Sequence, residues 1–93
     1  MYEAESFVRS YKLTIGSRAA KELSALSASV AQRVDTAILG LSSDPRPRGA
    51  KKLKGGHQLW RVRVGDYRIV YSIDDDQAVV DVIGVPHRSK AYR

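Results

Sequence analysis

A glycine and an aspartate, Gly65-Asp66, separate two runs in which apolar residues alternate with others, Leu59–Val64 and Tyr67–Ile73. Glycine first in a two-residue turn suits type II′, whose twist matches that of paired strands. A turn of fixed length also fixes the register. Val64 is then opposite Tyr67, Arg63 opposite Arg68, Val62 opposite Ile69, Arg61 opposite Val70 and Trp60 opposite Tyr71. One face of the hairpin collects Trp60, Val62, Val64, Tyr67, Ile69, Tyr71 and Ile73, and it must be covered by something apolar. The other face collects Arg61, Arg63 and Arg68. Like charges directly opposite each other cost a sheet up to about 1 kcal/mol. Stability does not call for such a pair, whereas a bound polyanion would offset the repulsion and use the guanidinium fork on phosphate.

The rest of the chain supplies the cover. Tyr11–Ile15 alternates and reads as a strand. Ser17 is placed to cap a helix running to about Ala28, with Ala19, Leu23 and Leu26 on one side. Val30, Val34, Ala37, Ile38 and Leu41 form the stripe of a second helix, which stops before Asp44-Pro-Arg-Pro47. A short serine-rich join makes the two a helical hairpin. Residues 44–58 read as one long basic loop, and Ala78–Val85 as a last strand after an Asp74–Gln77 turn. In that strand Val80, Val82, Gly84, Pro86 and Arg88 alternate together, which predicts that Arg88 shares the polar face with Arg68 and that Gly84 leaves open space there. The predicted order is β-α-α-β-β-β: an α+β, two-layer fold with an antiparallel sheet and a helical hairpin on one side. Residues 1–10 read as an N-terminal arm and 11–93 as a single domain.

The net charge of +6 is concentrated. Residues 46–68 hold Arg46, Arg48, Lys51, Lys52, Lys54, Arg61, Arg63 and Arg68 against Asp66 alone, and the tail adds Arg88, Lys90 and Arg93 with no acid. Everything else is net acidic. Two separate basic segments in an acidic background point to an anionic partner such as nucleic acid. The chain has no Cys, which excludes disulfides, thiolate metal sites and thiol nucleophiles, and only two His, His57 and His87. Asp74, Asp75 and Asp76 read as a solvated turn rather than a metal site. No metal and no cofactor are expected. No run approaches a membrane-spanning length and the start lacks the basic residues of a signal peptide, so a cytoplasmic protein with no membrane partner is expected. What remains is His87 and Tyr92 beside several Arg and Lys, a set compatible with metal-free RNA cleavage. The reaction needs a base for the ribose 2′-hydroxyl, cations on the phosphorane and an acid for the 5′-oxygen, with His87, Tyr92 and the arginines as candidates.

Four strings carry a family likeness: Lys51-Lys-Leu-Lys-Gly55, Leu59-Trp-Arg-Val-Arg63, Gly65-Asp-Tyr-Arg-Ile-Val-Tyr71 and His87-Arg-Ser-Lys-Ala-Tyr-Arg93. In this order and spacing they resemble the RelE/ParE toxin superfamily over roughly residues 11–93, and most of all its RelE-like branch. The resemblance implies a type II toxin that enters the ribosomal A site and cleaves mRNA there, inhibiting translation. It implies a cognate antitoxin, RelB- or Phd/YefM-like, acidic or amphipathic, and operator DNA contacted only through that antitoxin. Carried over by position, Arg61 and Arg63 match basic strand positions, Arg68 a phosphate and transition-state contact, and Arg88 a residue stabilising phosphate or leaving group. Tyr92 matches a tyrosine that stacks on the nucleotide and takes part in proton transfer, and His87 sits where some relatives place a general acid or base. Lys51, Lys52 and Lys54 match a loop that meets ribosomal RNA, and Arg46, Arg48 and Lys90 extend that surface. Arg61 and Arg63 stand where relatives often have Lys, and arginine cannot act as a base, so the base is left open. The alternative is a ParE-like poison of DNA gyrase, which acts by binding, and a degenerate, non-toxic member is a third possibility.

Overall fold

The computed structural model describes residues 10–54 and 58–90. Its elements are β1 (Lys12–Ile15), α1 (Ser17–Ser24), α2 (Ala28–Ser43), β2 (Lys51–Lys52), β3 (Leu59–Val64), β4 (Tyr67–Asp74), β5 (Val79–Gly84) and one 3-10 turn, Arg88–Lys90. The strands form a single sheet in the order β1-β5-β4-β3-β2. Both helices lie on one face of it, so the α+β two-layer reading holds.

Two features of the sheet differ from expectation. It is mixed rather than antiparallel, because β1 runs parallel to β5, with Lys12 beside Val79 and Ile15 beside Val82. Alternation reveals a strand but not its partner, and this partner lies at the other end of the chain. Residues 44–58 are also not one loop. Lys51 pairs with Arg61 and Lys52 with Trp60, making β2 a short edge strand. Two consecutive lysines have no apolar periodicity to announce a strand.

Ser17 is the first residue of α1 rather than its cap, and Gly16 takes the cap position without a side-chain bond. The Gly16 N–H donates to the Val82 carbonyl at 2.8 Å, and a Cβ at Gly16 would sit 3.3 Å from that oxygen. The helix therefore starts where the backbone is pressed against β5, a place that favours glycine. It ends at Ser24, before Ala28, where the Ala25 and Leu26 N–H groups bond back three residues to Glu22 and Leu23. The stripe of α2 is as predicted: Val34, Ile38 and Leu41 are buried, with Val30 and Ala37 packed beside them. Neither helix has a side-chain cap bond, so packing of this stripe holds them in place.

The core joins Ala19, Val34, Ile38 and Leu41 to Ile69, Tyr71, Val80, Val82 and Val85. Trp60, Val62, Val64, Tyr67 and Ile73 complete the predicted apolar face. Each fully buried aliphatic side chain contributes about 1.5–3 kcal/mol.

All five hairpin pairings occur as predicted. Gly65 has φ +59°, while Asp66 stays outside the left-handed region, as a type II′ turn requires. Gly65→Ala is expected to destabilise the domain by about 1–2 kcal/mol through that backbone conformation. The new Cβ would meet only the flexible tip of Arg33, at 3.2 Å, so the steric part is small. An unchanged thermal midpoint would contradict this.

The last strand contains the device that places the tail. Tyr71 lies opposite Val82 and Ser72 opposite Asp81, but Val70 lies opposite Gly84, so Ile83 is an extra residue in a bulge. Past the bulge the Arg68 N–H donates to the Pro86 carbonyl at 3.0 Å, Tyr67 bridges His87, and the Arg88 N–H donates to the Asp66 carbonyl at 2.7 Å. The chain thus follows β4 down to the hairpin turn. The predicted alternation is corrected accordingly. Val80 and Val82 lie in the core under the helices, and only the bulge brings Gly84 across to the face of Val70. Gly84 is buried rather than open, and Arg88 begins a 3-10 turn instead of extending a strand.

Candidate nucleic-acid interface

Cross-strand partners share a face of a sheet, and so do residues two apart on one strand. Lys51 is opposite Arg61, Arg63 is opposite Arg68, and Arg61 and Arg63 are two apart on β3. Four cations therefore lie together on the face turned away from the helices. The Arg63–Arg68 pair is the tighter kind. The Arg68 N–H is directed to Pro86 on the β5 side, so this is a non-hydrogen-bonded pair, whose Cα atoms approach to about 4.5 Å. Each like-charge pair costs up to about 1 kcal/mol.

Among the described residues no acid relieves them: Lys51, Arg61, Arg63 and Arg68 make no ion pair there. Asp81 lies on the same face but accepts a 2.7 Å hydrogen bond from Thr14. Arg68 is half-buried, and its Nε is buried with no hydrogen-bond partner among the described residues. Leaving such a donor unmet is costly, and an anionic oxygen would meet it.

Arg88, from the tail, is held at the hairpin turn that follows Arg63 and precedes Arg68. Its backbone is fixed to Asp66 and its Nε lies 3.6 Å from Asp66 Oδ1, an exposed pair that contributes little by itself. His87 is placed differently. It lies opposite Tyr67, and its ring meets the Tyr67 ring edge-on at 5.1 Å, on the side where Tyr67 packs against the core. Ser89 donates its N–H to His87 Nδ1 at 3.1 Å, and the Ser89 hydroxyl lies 2.9 Å from the same nitrogen.

The remaining predicted residues separate. Lys52 pairs with Trp60, on the other face from Lys51. Arg48, Lys54 and Lys90 are exposed. Tyr92 lies outside the described residues, as does all but the last residue of the 1–10 arm. Arg46 holds Asp75 with both terminal nitrogens, at 3.2 and 2.8 Å, and lies over the Trp60 ring at 5.2 Å. Tyr11 donates to the same carboxylate at 2.7 Å. Asp75 raises the pKa of Arg46 by hydrogen bonding and by its charge. These contacts fasten the loop after α2 to the β4–β5 turn. Sequence reading missed the parts of Tyr11 and Asp75, and nothing in the Asp74–Asp76 run signals which aspartate takes the arginine. Among the described residues no three His, Cys, Asp or Glu gather as a metal-ion site.

A helical hairpin packs on one face of a mixed sheet, and four cations that make no ion pair among the described residues lie on the other. Residues 13–92 match the family model described as the ParE toxin of the type II toxin–antitoxin system parDE. The chain is 33% identical to the toxin RelE of Mycobacterium tuberculosis, across 89% of this chain and 87% of that protein. It is 30% identical to the mRNA interferase toxin RelE of Escherichia coli, across 87% and 86%. The archaeal RelE–RelB complex from Pyrococcus horikoshii contains a chain that superposes with TM-score 0.77 at 30% identity, covering 88% of this chain and 99% of that one. The chain belongs to the RelE/ParE superfamily of type II toxin–antitoxin toxins.

Proposed function

We propose that the protein is a ribosome-dependent, metal-independent endoribonuclease toxin that cleaves mRNA in the ribosomal A site. The observation that carries this reading is the pair of like-charge cross-strand contacts, Lys51–Arg61 and Arg63–Arg68, with no acid against them among the described residues. Such a surface takes a phosphodiester. The 2′-oxygen attacks phosphorus as its proton leaves, the bond to the 5′-oxygen breaks, and a proton is returned to that oxygen. Arg61, Arg63 and Arg68 take the charge that builds on the phosphorane, and Arg88 takes charge on the leaving side. Tyr92 stacks on the nucleotide and takes part in proton transfer. Lys51, Lys52, Lys54, Arg48 and Lys90 meet ribosomal RNA through its phosphates. The relative named an mRNA interferase supports the activity at 30% identity. The RelE–RelB complex supports a cognate antitoxin. On the present reading that antitoxin is acidic or amphipathic, orders as it covers the basic face and alone contacts operator DNA.

The family model's description favours a second reading, a ParE-like gyrase poison. Mapping of mRNA 5′-ends after induction in growing cells separates the two. Cuts in phase with codons support the nuclease. Intact mRNA with trapped gyrase–DNA breaks supports the poison.

A further inference from the structure

We propose that His87 is a positioning residue: its ring caps the 3-10 turn that carries Arg88 and holds that arginine against the hairpin turn. The Ser89 N–H points at His87 Nδ1 at 3.1 Å. A backbone N–H only donates, so Nδ1 keeps its lone pair and the ring proton sits on Nε2. A side-chain acceptor that takes the N–H two residues on is how a residue just before a turn satisfies the turn's first donors. The His87 carbonyl accepts the Lys90 N–H at 2.8 Å, so His87 supplies a backbone and a side-chain acceptor to the three residues Arg88–Lys90. The ring is itself held by the edge-on contact with Tyr67. Tyr67 in turn packs on the core, which links the Arg88 turn to a rigid part of the sheet.

The placement separates this role from proton transfer. Past the bulge, Arg68 faces Pro86 and Tyr67 faces His87. Neighbouring residues on a strand point to opposite faces. The His87 ring accordingly lies with Tyr67 on the helix side, across the sheet from Arg61, Arg63 and Arg68. Its Nδ1 lone pair, the site of any base function in this tautomer, is already taken by Ser89.

The effect on cleavage rests on the nuclease reading; the cap does not. His87→Asn keeps a side-chain acceptor of the kind preferred at caps but carries no group that exchanges protons near neutral pH, and His87→Ala has no acceptor. Ribosome-dependent cleavage by His87→Asn is expected within about threefold of the parent, with His87→Ala down about tenfold or more, the scale of a lost cap. Equal loss in both variants would assign His87 to proton transfer and overturn the proposal. Full activity in both would overturn it as well. The second arm is imidazole nitrogen NMR of the whole protein, with His57→Gln removing the other histidine. A protonated Nε2 and an unprotonated Nδ1 are expected, and a dominant Nδ1–H form overturns the cap. If the parent cuts no mRNA, the function reading fails while the NMR arm still decides the cap.

Discussion

Arg68→Ala is expected to abolish growth arrest and to lower ribosome-dependent cleavage by about 10²–10³-fold, while the domain stays folded. The fall is the size seen when one preorganised donor to a transition-state charge is removed. The retained fold follows from the geometry. Arg68 faces Arg63 across a non-hydrogen-bonded pair, so its removal relieves a repulsion of up to about 1 kcal/mol. Its buried Nε, unmet among the described residues, disappears at the same time. The thermal midpoint is therefore expected to hold steady or rise. An ordinary structural residue behaves in the opposite way, losing stability and activity together. An Arg68→Ala protein that remains folded and fully toxic would remove the arginine face from the site.

Tyr71→Phe is expected to have the reverse signature: a destabilisation of about 1–3 kcal/mol, with the arginine face intact. Tyr71 is fully buried, and its hydroxyl donates to the Pro45 carbonyl at 2.8 Å. Phenylalanine fills the same space but leaves that carbonyl without its donor. For a domain of this size, each 1 kcal/mol moves the thermal midpoint by about 4–8 °C. The burial of Tyr71 also leaves a mark in the pH dependence. Burial pushes the Tyr71 phenol up to about 12 from 10.0, with Asp44 adding to the shift and Arg46 opposing it. The fold thus favours the neutral phenol. Its contribution is complete below about pH 10 and is lost as the pH rises through about 12. The parent should lose stability steeply in that window, and Tyr71→Phe should lose less. Parallel pH curves for the two proteins would contradict the assignment.

The parts of the fold legible in the sequence are those set by local rules. Gly65-Asp66 determines a turn length, and a turn length determines a register, so the pairing of Arg63 with Arg68 follows from the order of residues alone. The α2 stripe is legible for the same kind of reason, since one period decides which residues are buried. What stays hidden depends on distant partners. The parallel union of β1 with β5 joins the two ends of the chain. The strand at Lys51–Lys52 exists only because β3 offers an edge, and it adds Lys51 to the basic face as a fourth cation. The bulge leaves Ile83 extra opposite the Val70–Tyr71 step. Gly84 beside it is the one cue, which the alternation of Val80, Val82 and Gly84 masks. The bulge decides which face Gly84 occupies and where His87 and Arg88 arrive. In the sequence Arg46 is one more cation in a basic segment. The fold commits it to Asp75 and Trp60, a choice made by a turn far along the chain.

On the proposed nuclease reading the ribosome positions the substrate, because the described basic face offers cations for phosphate rather than groups that read base sequence. The direct measurement is cleavage of one mRNA by the purified protein, free and bound to ribosomes with a defined codon in the A site. A cut within the A-site codon is expected on the ribosome, with little cutting of the free RNA at the same concentration. Equal cutting of free and ribosome-bound mRNA, or an uncut A-site codon, would contradict it.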